Sequence, residues 1–443
     1  MNARDVALQV VRDVFPAEAA SAERGAQEAL DYRLRKASLE PRDRAFATEL
    51  AYGSIKMRRT LDWYARAFIG DRPQPLPPTI AEIVRLGIYE IVFTQADEHA
   101  TVFEYVNLAK KYGHRGVAGL VNAVLRSFLR DRPLPPAPED FDDADEYLSV
   151  ACSLPTWLVR QWRAAFPDSL EAICVAVNLP ARSAITVNRL RAEVDEVESG
   201  LRASGSDVRR SEYVEESLIV GGGSHSARER AADAAWFFQG ESAAMPVAIL
   251  NPQPTETVLD VASGRGNKAL QLAARMKGEG TLWCLEQDAR KAKLLEERLA
   301  SAGAAASIVV GDATGEIVPA QQRFDRVLVD APCSGVGVVG RHPEARWRKR
   351  ADDGARLAAT QAAMLAAVAP HVHPGGVLVY AVCSTDPRES VEVVDAFLRT
   401  HDFSRGLIPA VFGPFGTRQG DVLVPPGLQG RDGFYVARLE RHM

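Results

Sequence analysis

The feature that most constrains this 443-residue chain is a rhythm in its C-terminal part. Short apolar runs at 257–262 (TVLDVA), 280–286 (GTLWCLE), 306–312 (ASIVVGD), 324–331 (FDRVLVDA) and 375–383 (GGVLVYAVC) alternate with helical patterns. The helical segments read NKALQLAARM, ARKAKLLEERLASAG and ARLAATQAAMLAAVAPHV. Apolar strands separated by amphipathic helices predict a parallel sheet covered on both faces. Such sheets bind ligands beyond the carboxyl ends of their strands. Residues at the strand exits are therefore the first candidates for function.

The text before this region changes character twice. Residues 1–132 carry helical spacing throughout: DRAFATELAYGSIKMRRTLDWYARAF places Phe46, Leu50, Tyr52 and Ile55 on one face. Breaks fall at Gly70, Pro73, Pro75, Pro77 and Pro78. An all-α bundle is expected there. Residues 133–147 are rich in proline and acid, a composition that suits an exposed linker. Residues 148–245 mix a helix (EVDEVESGLRASG) with strands (SAITVNRL, ESLIVGGG), which predicts a small α+β domain ahead of a catalytic domain at 246–443.

Composition narrows the class. With 47% hydrophobic and 25% charged residues, the chain can bury several cores. No run approaches the ~18 apolar residues of a membrane span, and the N-terminus lacks the apolar core of a secretory signal. The chain has five cysteines and no CxxC, which argues against a disulfide framework or a metal site and suits a cytoplasmic protein. The net charge of −5 conceals segregation. Residues 131–146 hold seven acids and one arginine, whereas Arg341–Arg350 (RHPEARWRKR) hold five cations and one acid.

The first strand exit reads Ala262, Ser263, Gly264, Arg265, Gly266, Asn267, Lys268. Its glycines permit a tight turn and close backbone approach to a ligand. Glu286 ends the second strand, where an acid can bind ribose hydroxyls, and Asp312 ends the third, near where an adenine edge would lie. Each acid alone could be a helix cap or a solvated loop residue. The dinucleotide pattern GxGxxG and the P-loop are both missing. Asp260, inside the end of the first strand, suits a positively charged ligand. Together these features point to S-adenosyl-L-methionine.

Two cysteines emerge at strand exits: Cys333 in DAPCSG, with Asp330 three residues earlier, and Cys383 in YAVCS. A thiolate can attack C6 of a pyrimidine and so make C5 able to accept a methyl group. A second group must then help the C5 proton leave and the thiol depart. The plain alternative is that both are small buried hydrophobes, which is the reading adopted for Cys152, Cys174 and Cys284.

DAPCSG, YAVCS followed by Glu389 and Val391, Lys268 and the ending DGFYVARL resemble the NOL1/NOP2/Sun (RsmB/NOP) family of RNA 5-methylcytosine methyltransferases. RAFATELAYG and NLAKKYGHRGVAGLVNAVLR are similar to the NusB-like helical domain fused to the bacterial small-subunit rRNA members. The resemblance implies a Rossmann-like, S-adenosylmethionine-dependent methyltransferase domain behind an RNA-binding bundle, acting on small-subunit rRNA. It makes Cys383 the nucleophile and Cys333 the residue that assists release. Asp330 would contact the cytosine and the cofactor's amino-acid end, while residues 262–268, Glu286 and Asp312 would hold the cofactor. The family writes its first motif CAAPGGK; this chain keeps the lysine and one glycine and places Arg265 where the proline stands. A tRNA substrate, or a decayed assembly or antitermination factor, is the competing reading. Expected RNA surfaces are Arg341, Arg346, Arg348, Lys349 and Arg350 around Trp347, and Arg58, Arg59, Lys110, Lys111, His114 and Arg115 on the bundle.

Overall fold

The computed structural model describes residues 2–16, 24–70, 75–221, 234–315 and 318–443. Pro73 and the last glycines of ESLIVGGG lie outside them. The chain divides into two compact units, Met1–Ala164 with Arg341–Lys349, and Ala165–Gly340 with Arg350–Met443.

The first unit is helical, as the periodicity predicts. Its bundle comprises α1 (Ala3–Val14), α2 (Ala26–Lys36), α3 (Pro41–Lys56), α4 (Arg58–Ile69), α5 (Pro78–Phe93), α6 (Glu98–Tyr112) and α7 (Arg115–Asp131). Val10, Leu50, Ile55, Ile83, Tyr105 and Leu125 are among the side chains of its core. The long helical text from Asp43 to Phe68 is two helices, broken at Met57. A helix end leaves carbonyls without intrahelical partners. Here they are met by residues 341–349: the Trp347 indole N–H donates to Ile55 O (2.7 Å), and Arg346 reaches Lys56 O (3.5 Å).

The same segment caps two more helix ends. Arg348 donates to Val14 O at the end of α1 (2.5 Å) and to Arg24 O (2.6 Å). Glu344 accepts from Ala26 N at the start of α2 (3.1 Å). Arg346 is 1% exposed. The cation-rich stretch expected to face RNA is thus largely spent on packing and capping. Four of the six expected bundle residues are also committed: Arg58 pairs with Glu82 (2.8 Å), Arg59 with Glu146 (2.5 Å) and Lys111 with Asp5 (2.6 Å), while His114 caps α7; Lys110 and Arg115 are exposed.

The stretch expected to be a bare linker, 133–147, already begins a helix, α8 (Ala144–Ala151), followed by α9 (Thr156–Ala165). Three of its six acids, Asp143, Asp145 and Glu146, are ion-paired rather than merely solvated. Asp143 caps α8 and pairs with Arg160 (2.7 Å), and Asp145 pairs with Arg163 (2.6 Å).

In the second unit, α10 (Leu170–Ala176) leads to a small antiparallel sheet. Its strands are β1 (Ser183–Val187), β2 (Asp207–Arg210), β3 (Ser217–Gly221) and β4 (Trp236–Phe238), in the order β2-β3-β1-β4, with α11 (Val194–Ala203) beside them. The sequence foreshadowed β1, β3 and α11. It hid β2, whose DVRR carries one apolar residue, and β4, which is three residues long.

After α12 (Glu241–Leu250) comes the large sheet. Strands β5 (Thr257–Val261), β6 (Thr281–Glu286), β7 (Ser307–Val310), β8 (Phe324–Asp330) and β9 (Val372–Val382) run parallel, as the rhythm predicts. Helices α13 (Asn267–Arg275), α14 (Ala289–Ser301), α15 (Asp353–Val368) and α16 (Val391–Leu398) intervene. Strands β10 (Phe403–Arg405), β11 (Val422–Val424) and β12 (Phe434–Arg441) are antiparallel additions. The order β10-β12-β9-β8-β5-β6-β7 reverses direction of travel between β5 and β8. This is a Rossmann-like doubly wound sheet, whose ligand crevice lies at that switch point.

Candidate active site

The two cysteines that the sequence places at strand exits meet. Strands β8 and β9 are parallel neighbours, with Asp330 opposite Ala381. Cys333 and Cys383 therefore leave the same edge of the sheet, and their sulfurs lie 3.2 Å apart as free thiols. Their loops are laced by backbone bonds: Ala331 N to Ala381 O (3.0 Å), Gly337 N to Cys383 O (3.1 Å) and Gly433 N to Gly337 O (2.8 Å). Gly337 is required by this approach, because a Cβ there would sit 2.1 Å from Gly433 O. The DGF text before β12 thereby acquires a structural role.

Beneath the pair lies Glu389, fully buried. Its carboxylate accepts from Ser334 N (2.8 Å), from the Ser334 hydroxyl and from Ser384 Oγ (2.6 Å), so it braces the residue that follows each cysteine. Gln361 Nε2 donates to it (3.2 Å) and also to Pro332 O (2.9 Å). Sequence reasoning saw Glu389 only as part of a family pattern. The available signal was an acid six residues beyond a strand-exit cysteine, too generic to single out.

The third element is charge. Lys268, in the first turn of α13, donates to Asp330 at the end of β8 (2.5 Å). Burial pulls the Lys268 ammonium down, but Asp330, and more weakly Asp260 and Cys383, hold it above its ordinary range. The thiol of Cys333 is pushed well up, first by its hydrogen bond to Cys383 and then by burial. The Lys268 ammonium and the Cys333 thiol thus lie in one buried cluster with Asp330, Asp260 and Cys383.

The loop at 262–268 is bent by positive φ at Ala262 (61°), Gly264 (57°) and Gly266 (80°). At Gly266 a Cβ would also lie 2.4 Å from Leu295 Cδ1. Ser263 N bonds Leu285 O (2.9 Å), and Gly264 N bonds Glu286 Oε2 (2.9 Å). Each Glu286 oxygen accepts one backbone N–H, the other from Asp288 N (2.9 Å), which leaves lone pairs for hydroxyl donors. Asp260 lies below, 1% exposed. Among the described residues neither of its carboxylate oxygens has a hydrogen-bond partner. Burial, then the nearby Asp330 carboxylate, pushes it up to about 7. A buried acid without a donor is costly, and a bound cation would relieve it. These residues fit a ligand that brings positive charge and a ribose.

The other loop residues fall elsewhere. Asp312 is exposed and folds onto its own turn, accepting from Thr314 N (2.9 Å) and Oγ1 (2.8 Å). Asn267 donates to Phe238 O (3.0 Å), and Arg265 is exposed on the outer side of the loop. Cys152, Cys174 and Cys284 are buried, matching the packing role expected of them.

Three regions of the chain match family descriptions: "NusB family" over residues 1–130, "Methyltr_RsmF/B-like, ferredoxin-like domain" over 154–225, and "16S rRNA methyltransferase RsmB/F" over 247–440. The chain is 32% identical to the probable ribosomal RNA small subunit methyltransferase B of Bacillus subtilis, over 92% of this chain and 93% of that protein. The chain belongs to the RsmB/F family. It is also 34% identical to ribosomal RNA small subunit methyltransferase B of Thermus thermophilus, over 94% and 93% of the two chains. The crystal structure of PH0851 superposes with a TM-score of 0.80 at 25% identity, covering 100% of this chain and 99% of that one. This RsmB/F chain is accordingly an S-adenosylmethionine-dependent methyltransferase, with a NusB-like bundle, a ferredoxin-like domain and a Rossmann-like sheet. No helix among the described residues is long and apolar enough to cross a membrane, and no group of three or more His, Cys, Asp or Glu there could hold a metal ion.

Proposed function

We propose that this chain methylates C5 of a cytosine in small-subunit rRNA through a covalent bond between Cys383 and C6 of the base. The observation that carries the reading is the sulfur pair 3.2 Å apart beside the Lys268–Asp330 ion pair. S-adenosylmethionine supplies the methyl group; residues 262–268, Glu286 and Asp260 are the groups that would hold it, with Asp312 at the neighbouring strand exit.

The chemistry of the chain's own groups then runs in order. The Cys383 thiolate adds to C6, and the electron pair displaced from the C5–C6 bond makes C5 nucleophilic. Asp330 orients the ring while Lys268 fixes Asp330. Forming the C–S bond ends the hydrogen bond to Cys383, the first of the causes that push the Cys333 thiol up. Cys333 can then release its proton to solvent and, as thiolate, take the C5 proton once that carbon carries the methyl. The C5–H electron pair reforms the double bond and expels Cys383 as thiolate. Glu389 holds both loops in register throughout.

Within this reading residues 1–132 serve as an RNA-binding module and 246–443 as the catalytic domain, and the cytoplasm, where ribosomes are assembled, is the compartment. The names of the relatives favour rRNA over tRNA. The test is incubation with unmodified small-subunit rRNA and tRNA and a labelled methyl donor, followed by mapping of the product. 5-Methylcytosine in the small-subunit rRNA supports the reading; label confined to tRNA, or at another atom, overturns it. A decayed factor is disfavoured by the intact, braced cysteine pair.

A further inference from the structure

Arg265, where the family pattern has proline, has no part in the chemistry above. Its side chain lines a groove of about 620 Å³ within the second unit, between the loop after β5, α14 and β4. The lining contains three guanidinium groups, Arg191, Arg265 and Arg298, together with Trp236, Phe237 and Phe238, and among the described residues it contains no acid. None of the three arginines has a carboxylate within ion-pair distance among those residues; Arg191 and Arg298 donate only to backbone carbonyls, of Ala302 (3.2 Å), Ser301 (3.3 Å) and Arg265 (2.6 Å). Burial and the like charge of Arg265 lower Arg298 below its ordinary range. Two cations crowd each other without a counterion, in a protein whose net charge is −5. Phe238, 38% exposed, presents an aromatic ring braced edge-on by Trp236, with the ring centroids 5.3 Å apart.

We propose that this groove holds single-stranded RNA next to the methylated nucleotide: Arg191, Arg265 and Arg298 take its phosphates and Phe238 stacks a base. Unneutralised arginines beside an exposed ring are the combination that binds single strands without reading sequence. Position supports the assignment. Arg265 is three residues from Lys268, at most about 11 Å along the chain, and Lys268 contacts Asp330 in the active site. A strand leaving the cysteine pair is therefore within reach of the groove. The inference rests on the proposed RNA methylation for its substrate, but its test does not require turnover.

The experiment measures binding of a small-subunit rRNA fragment by the full chain at several salt concentrations, for wild type, Arg191→Glu, Arg298→Glu, Arg298→Lys and Phe238→Ala. Thermal melting checks the fold, and calorimetry measures binding of S-adenosylmethionine. Each charge reversal should weaken RNA binding and flatten the plot of log K against log salt by about 0.7 per phosphate lost. Arg298→Lys should retain most of the slope. Phe238→Ala should weaken binding roughly 5- to 150-fold, the range for loss of one stacked base, with little change in slope. Cofactor affinity should stay at the wild-type value in Arg191→Glu and Phe238→Ala. An unchanged salt slope in both charge reversals, or equal loss of cofactor and RNA binding in Arg191→Glu and Phe238→Ala, overturns the proposal. Groove-dependent binding by a wild type that fails to methylate sustains the groove and sinks the methylation reading; methylation with groove-independent binding does the reverse.

Discussion

The loops carrying Cys333 and Cys383 resemble each other in sequence yet differ in surroundings. Each follows a buried parallel strand, each is followed by a serine, and each serine bonds the same Glu389. The Cys333 thiol is pushed up by its bond to Cys383 and by burial, and the Lys268–Asp330 ion pair lies in the same site. The lesson is that two like groups 3.2 Å apart, on equivalent strand exits, can be given different roles by what surrounds them. In the proposed mechanism Cys383 is the nucleophile and Cys333 the acid–base group.

The largest effect expected from breaking the pair is that of Cys383→Ala. Methyl transfer to RNA should fall by at least about 10⁴-fold, as when a covalent nucleophile is removed, and no covalent RNA adduct should form. Residual turnover near wild type in a labelled-methyl assay would take the nucleophile role away from Cys383. Cys333→Ala should permit attack but slow release, lowering turnover by roughly 10²- to 10⁴-fold, the usual range for lost acid–base assistance.

Glu389→Gln tests what the two loops share. The amide keeps the volume but loses charge and the acceptor capacity for several donors at once, so stability should drop by about 1–3 kcal/mol. Attack and release should slow together, which single-turnover kinetics can resolve. Selective loss of one step would show that Glu389 serves one loop only. Smaller still is the effect of Asp260. Its acid is raised from the ordinary carboxyl range to about 7, so its contribution to folding is fullest at low pH, where it is neutral. That contribution is lost as pH rises through about 7, and cofactor binding should tighten over the same window. Asp260→Asn should flatten both trends, and calorimetry across pH 5–9 reads them; an unchanged pH profile removes Asp260 from cation binding. Cys284→Ala, at a buried thiol outside the pair, should leave both methylation steps unchanged while costing about 1 kcal/mol. A loss of methyl transfer comparable to that of Cys333→Ala would show that the pair is not chemically special.

Much of this was legible in the sequence, for physical reasons. Parallel strands are nearly continuous apolar runs, so the buried β5, β6, β8 and β9 and the edge strand β7 stood out with their exits, and with them Cys333, Cys383, Asp330, Lys268 and Glu286. Composition could not separate exposed cations from spent ones. Trp347, Arg346 and Arg348 looked like an RNA patch, but they cap helices of the bundle from 290 or more residues away in sequence. Conversely, Arg191, Arg265 and Arg298 lie far apart in the chain, and only the fold gathers them. Glu389 was invisible as a brace because its partners come from three separate segments.

The most direct test of the division of labour is to incubate Cys333→Ala with RNA and S-adenosylmethionine, digest the denatured product and locate the cross-linked residue by peptide mass spectrometry. The account predicts accumulated protein–RNA adduct, with the methylated nucleotide on Cys383. Normal turnover without adduct, or an RNA adduct mapped to Cys333 in the reciprocal Cys383→Ala protein, would contradict it.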